Sequence, residues 1–262
     1  MWVLFVDETN FPPEEGQFFI YGGVAIHTDK LPKLNRKVDR IRRRYDYAPG
    51  QSLKFTNQGG ADPRLHRAAK RKVLRAVERA NGKFFATVVL ERVLARKEPE
   101  QYVSWAVNAV TQVFHEFLER EDAYGGLMMD RVDRDQVNHA LNELADRFQS
   151  GLSFPDGYRA VNDRILWFGM TNNNASHLSS CADIVLGAFR YCVNAATGHG
   201  NARVEVAEQI APSLAGIWWR RDYETYPSGF RPHPVRIAVS SVDRIYTDMK
   251  HELARWGTWR AR

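Results

Sequence analysis

Cysteine is nearly absent from this chain: Cys181 and Cys192 are the two thiols in 262 residues. On a helix they would stand about three turns apart on one face. Such a pair suits small buried thiols and argues against a disulfide framework or a zinc centre. Long apolar runs are missing too, and none approaches the ~20 residues of a membrane span. The first residues lack the basic segment and cleavage site of a secretory leader. A cytoplasmic protein with no membrane partner is therefore expected. Neither a P-loop nor G-x-G-x-x-G occurs, which removes the common nucleotide-binding fingerprints. The glycines of "YGGV" read instead as close strand packing. Acidic charge is in deficit: 31 Asp and Glu stand against 37 Lys and Arg, a net +6.

The positive surplus is concentrated. "KLNRKVDRIRRR" (33–44) and "RLHRAAKRKVLRAVER" (64–79) hold much of it. Such segments suit a polyanion, nucleic acid first among them; a merely solvated surface is the plain alternative. The second segment carries helix punctuation, with Asp62 as N-cap, Pro63 at the first position and Gly82 past the end. Along it Leu65, Ala69, Val73, Ala76 and Ala80 form an apolar face, and Arg64, Arg67, Arg71 and Arg75 a basic stripe. Arg67, Arg71 and Arg75 are the candidate nucleic-acid contacts.

"WVLFVD" and "GQFFIYGGVAIHT" (16–28) read as two strands, antiparallel across the "NFPPEEG" turn. "SLKF" (52–55) reads as a short extended piece. "KFFATVVLE" (83–91), "YGGLMMD" (124–130) and "RILWFGMTNN" (164–173) read as further strands. Helices are expected at "KLPKLNRKVDRIRRRYD", "EPEQYVSWAVNAVTQVFHEFLERED", "RDQVNHALNELADRFQSG" and "SHLSSCADIVLGAFRYCVNA", the last opened by Ser176. Strands that alternate with helices predict an α/β fold, a mixed β-sheet flanked by helices. Residues 201–262 are aromatic, basic and Pro-containing. They read as a C-terminal extension packed on a core domain of residues 1–200.

Three acids stand out. Asp7 and Asp130 each follow a buried-looking strand, at the carboxyl end where open α/β sheets bind ligands. A solvated strand end or a helix cap is the bland reading of either one alone. Asp183 lies inside the apolar helix "SSCADIVLGAF", where an unpartnered Asp is costly. Helical spacing puts Leu178, Cys181, Val185, Phe189 and Cys192 on a core face. It puts Ser176, Ser179, Ser180, Asp183, Gly187 and Arg190 on a small, polar one. Pairing of Asp183 with Arg190 is the alternative. Clustered carboxylates repel unless a cation or protons intervene. Mg²⁺ or Mn²⁺ prefers such oxygen ligands. Two such ions ~4 Å apart activate water and stabilise the leaving oxygen in phosphodiester cleavage.

At this point the chain resembles the DUF3800 family of RNase H-like metal-dependent nucleases. The resemblance rests on "FVDETN", "SLKF", "LMMDR" and "CADIVLGAF", and spans roughly residues 1–195. It implies an RNase H-like mixed sheet flanked by helices, with Asp7, Asp130 and Asp183 as the metal-binding acid cluster. It also implies Glu8 and Lys54 as catalytic helpers, Lys54 steadying a phosphate or developing negative charge. Three positions depart from the family pattern: Asn10 stands where Gly is usual, Ser52 where an acid is usual and Ser180 where Gln is usual.

Rival features are weaker. "VDET" lacks the second Asp of a D-x-D phosphatase motif. A PIN-type nuclease also opens with an apolar strand and an Asp, though the β-rich first section and the late Asp183 favour the RNase H-like order. "WWRR" (218–221) reads either as a base-stacking platform or as core packing, and His177 as a cap or surface residue. Two functions remain: a divalent-metal-dependent nuclease on DNA or RNA, and a non-catalytic nucleic-acid-binding or partner-regulated protein on the same fold.

Overall fold

The first two apolar runs pair as expected, and the rest of the sheet grows outward from them. The computed structural model describes residues 1–57, 60–94, 99–130, 145–146, 148–154, 157–171, 176–221 and 225–259. Its strands are β1 (Trp2–Thr9), β2 (Phe18–His27), β3 (Lys83–Leu90), β4 (Gly125–Asp130), β5 (Leu152–Phe154), β6 (Gly157–Arg159), β7 (Ile165–Thr171) and β8 (Phe230–His233). The helices are α1 (Leu31–Arg44), α2 (Pro63–Arg79), α3 (Glu91–Leu94), α4 (Pro99–Arg120), α5 (His177–Thr197), α6 (Val204–Ile210) and α7 (Ser240–Arg255). Six strands form one sheet in the order β7-β4-β1-β2-β3-β8, and β5 and β6 form a separate hairpin. β2 runs antiparallel to β1 and β3, while the β1–β4, β4–β7 and β3–β8 pairs are parallel. The protein is thus α/β, with a mixed sheet flanked by helices.

The period-2 alternation of a strand sends successive side chains to opposite faces. Trp2, Leu4 and Val6 of β1 join Phe85 and the α4 residues Val110, Phe114 and Phe117 in one core. Val3 and Phe5 face the other way, onto Ala182 of α5. On that second side Phe18, Ile20, Val24 and Ile26 of β2 pack with α1, α2, α5 and α7. At Gly23 a Cβ would come 1.9 Å from the Phe5 carbonyl oxygen, so "YGGV" does serve close strand packing. Both thiols, Cys181 and Cys192, are free and buried. Residues after 200 add the edge strand β8 and the helix α7. The Tyr246 hydroxyl there accepts from the Leu90 N–H at 2.8 Å and donates to the His233 carbonyl at 2.6 Å.

Several local expectations shift. α2 is capped by Asp62, which accepts from the N–H groups of Arg64 and Leu65. Its buried face is His66, Ala69, Val73, Leu74, Ala76 and Val77, and Leu65 is 37% exposed. The face turns because His66 is fully satisfied inside. Its Nε2–H donates to the Phe55 carbonyl, which can only accept, so Nδ1 accepts from the Tyr47 hydroxyl. Gly82 stands past the end of α2 as expected, and the left-handed residue before it is Asn81 at φ 57°. Asn81 N–H bonds Glu78 and Gly82 N–H bonds Val77, closing a Schellman turn. "SLKF" has no regular structure. Most of the polar helix expected over 134–151 lies outside the described residues.

Candidate active site

Strand parity brings the acids together. Asp7 shares the parity of Val3 and Phe5, and Asp130 that of Met128, the residues that face α5. β1 and β4 are parallel with Val6 opposite Met129, so Asp7 and Asp130 stand side by side one step further on. Asp183 faces them from α5, a helix opened by Ser176, whose hydroxyl accepts from Leu178 N–H. Asp7, Glu8, Lys54, Asp130 and Asp183 all line one cavity of about 250 Å³, with Thr9, Thr56 and Arg190 beside them.

The segment at 52–55 reaches this cavity by docking on α5. Phe55 N–H donates to Asp183 Oδ1 at 2.6 Å. Gly187, one turn along, makes the approach possible: a Cβ there would stand 2.3 Å from the Phe55 Cβ. The Phe55 carbonyl is held from behind by Lys70 Nζ at 2.9 Å and His66 Nε2 at 3.1 Å. Lys54 is thereby carried to the mouth of the cavity. Asn10, which stands where the family pattern has Gly, adopts φ 55°. That left-handed conformation is one that Gly and Asn share. Asn10 also ties it down, donating to the Phe18 carbonyl and to Asn194 Oδ1, each at 2.9 Å.

The cavity is electrostatically tense. Burial pushes the Asp7 carboxyl well above its ordinary range, and Glu8, Asp183 and Asp130 push it further. The Glu8 N–H, donating to Asp7 Oδ1 at 2.9 Å, opposes this. Burial raises Asp183 as well, against the Phe55 N–H, Lys54, Arg190 and Lys70. Burial also works against the charge of Arg190, which Asp183 and Asp7 support. The Arg190 guanidinium donates to the hydroxyls of Thr9 at 3.1 Å and Thr56 at 3.3 Å. Among the described residues it forms no direct ion pair with Asp183. The expected alternative partnership is therefore a longer-range one. Lys70, half-buried beside Arg67 and Arg190, is pulled down to about 8.

Carboxylate oxygens are the donors a hard divalent ion prefers, and burial raises two of these carboxyls, Asp7 and Asp183. The carboxylates are not gathered into a shell, however. Among the described residues no three His, Cys, Asp or Glu side chains lie close enough to hold one ion. Ser52 and Ser180, the other two departures, are not among the residues lining the cavity.

Arg67, Arg71 and Arg75 line a cationic groove of about 300 Å³ on α2, with Arg64 and Lys72. Trp218 and Trp219 are buried, and Trp218 packs against Phe84, Phe189 and Phe230. The "WWRR" pair is core, and no base can stack there. His177 lies 3.8 Å from Asp39 and is not among the residues lining the acid cavity. Thr9, Phe55, Thr56 and Lys70 were not singled out in the sequence as site residues; the Gly187 gap on α5 was the one signal that something must press close there. No protein-family model matches the chain, and no curated protein matches it.

Proposed function

We propose that the protein is a divalent-metal-dependent phosphodiesterase acting on nucleic acid, of the RNase H-like class that the resemblance implies. One observation carries this reading: five side chains from four separate segments converge on one cavity, and a cationic groove runs along the neighbouring helix. Asp7, Asp130 and Asp183 would hold Mg²⁺ or Mn²⁺, which when bound supplies an activated water and stabilisation of the leaving oxygen. The chain's own residues supply the rest. Lys54 and Arg190 place positive charge where a phosphate would sit. The Phe55 N–H orients Asp183 by fixing one of its oxygens. Arg67, Arg71 and Arg75 hold the polyanion, so affinity falls steeply with salt as counterions are released.

The test is cleavage of single- and double-stranded DNA and RNA with Mg²⁺, Mn²⁺ or EDTA, for the parent and Asp183→Asn. Metal-dependent cleavage by the parent and none by the variant is expected, with metal raising the melting temperature of the parent far more. A metal-indifferent parent that cleaves nothing sinks the proposal. The second reading, a non-catalytic nucleic-acid binder, is favoured by one observation: the acids are not gathered into an ion-sized cluster among the described residues.

A further inference from the structure

A second, larger cavity of about 610 Å³ shares Phe55 as a lining residue with the acid cavity. Its interior is apolar: Leu74 is buried in the core, and Ile210 and the Tyr191 ring pack partly exposed against it. The Tyr191 ring is oriented, because its hydroxyl accepts from the Arg203 N–H at 3.0 Å. The rim is cationic, with the exposed side chains of Arg67, Arg71 and Arg203. No carboxylate is among the described residues that line it. A ligand that satisfies both parts has an unsaturated, flat body and at least one anionic group. Phe55 lines both the acid and the apolar cavity, and Arg67 and Arg71 line both the apolar cavity and the α2 groove.

We infer that this cavity is a nucleotide subsite for a single strand. One base enters against Tyr191 and the apolar floor, its phosphate rests on Arg67, Arg71 and Arg203, and the adjoining phosphate extends past Phe55 to the acid cavity. Base stacking on an aromatic ring is tolerant of sequence, and guanidinium forks match phosphate geometry. A duplex cannot enter this way, since its bases are stacked inward; the subsite selects single strands or frayed ends. The single-strand assignment rests on the phosphodiesterase reading, whereas the nucleotide pocket itself does not.

The experiment is equilibrium binding to the full chain in EDTA. The probes are inorganic phosphate, AMP, UMP, a single-stranded tetranucleotide and a blunt duplex. AMP and UMP are expected to bind at least about tenfold more tightly than phosphate, and the tetranucleotide more tightly again. Tyr191→Leu should weaken mononucleotide binding about tenfold and leave phosphate binding unchanged. Arg67→Ala and Arg71→Ala, both exposed and so safe for folding, should weaken all the probes. Mononucleotides that bind no better than phosphate, or a Tyr191→Leu protein that melts like the parent yet binds like it, overturn the subsite. A duplex that matches the single strand overturns strand selection. Binding as expected without any metal-dependent cleavage leaves the subsite standing and removes the phosphodiesterase reading. Cleavage without mononucleotide binding does the reverse.

Discussion

The two faces of the sheet both carry apolar cores, but they differ at the strand ends. On the α4 side aromatic rings pack against one another. Phe117 meets Trp2 at 5.0 Å, Phe85 at 5.5 Å and Trp219 at 5.6 Å between centroids. On the α5 side, at the strand ends, the helix presents Asp183, Gly187 and Arg190, and the space goes to a charged cavity. Apolar burial contributes about 25 cal/mol per Å², so both faces stabilise the molecule through their own cores. The second gives up part of that gain to hold like charges at close quarters. Scaffold and site share one sheet because β1 alternates: its even positions feed one face and its odd positions the other.

The largest break of this comparison is Phe117→Ala. It should cost about 3–5 kcal/mol of stability, through lost burial and the cavity left behind. Activity per folded molecule should stay near the parent's, since the ring lies across the sheet from the acids. Urea unfolding beside an activity assay at low temperature checks both halves; lost activity in a still-folded variant would show that the two faces are not separable.

Gly187→Ala tests the other face and should cost about 1–3 kcal/mol, because the new methyl must push Phe55 away. The same shift breaks the Phe55–Asp183 contact and moves Lys54, so cleavage should fall by about 100-fold. Here stability and activity should drop together, the contrast with Phe117.

The smallest effect sharpens the electrostatic side. Asp7 ordinarily titrates near 3.8 and is raised in the fold. A raised acid favours folding when protonated. Its contribution is therefore fully present below about pH 4 and is lost as pH rises through the elevated folded value. Without metal, the parent should lose stability over that window, and Asp7→Asn should lose less, by on the order of 1 kcal/mol. Parallel pH curves for the two proteins would mean that Asp7 is not held against its neighbours' charge.

How far the sequence reached depends on the range of the interaction. The strands β1, β2, β3, β4 and β7 and the helices α1, α2, α4 and α5 were legible because alternation and helical spacing are local patterns. So were the Asp62 and Ser176 caps. Asp183 was legible as an oddity, a charge inside an apolar helix. The turn of α2 about its axis was not, because it depends on His66 finding Tyr47 and the Phe55 carbonyl, partners distant in sequence. Nor was the role of "WWRR": a Trp pair is equally suited to stacking and to packing until its neighbours are known.

Composition and periodicity by themselves determined an α/β protein with a basic helix, two acids at strand ends and a third, Asp183, inside an apolar helix where an acid is costly. Tertiary structure alone decided that those acids, Glu8 and Lys54 open on one cavity, since strand register and the docking of residue 55 on Gly187 bring together segments more than a hundred positions apart. It alone also decided that a second cavity shares the Phe55 wall. The reason is physical: side-chain periodicity sets which face a residue occupies, but close packing between elements sets what stands opposite it.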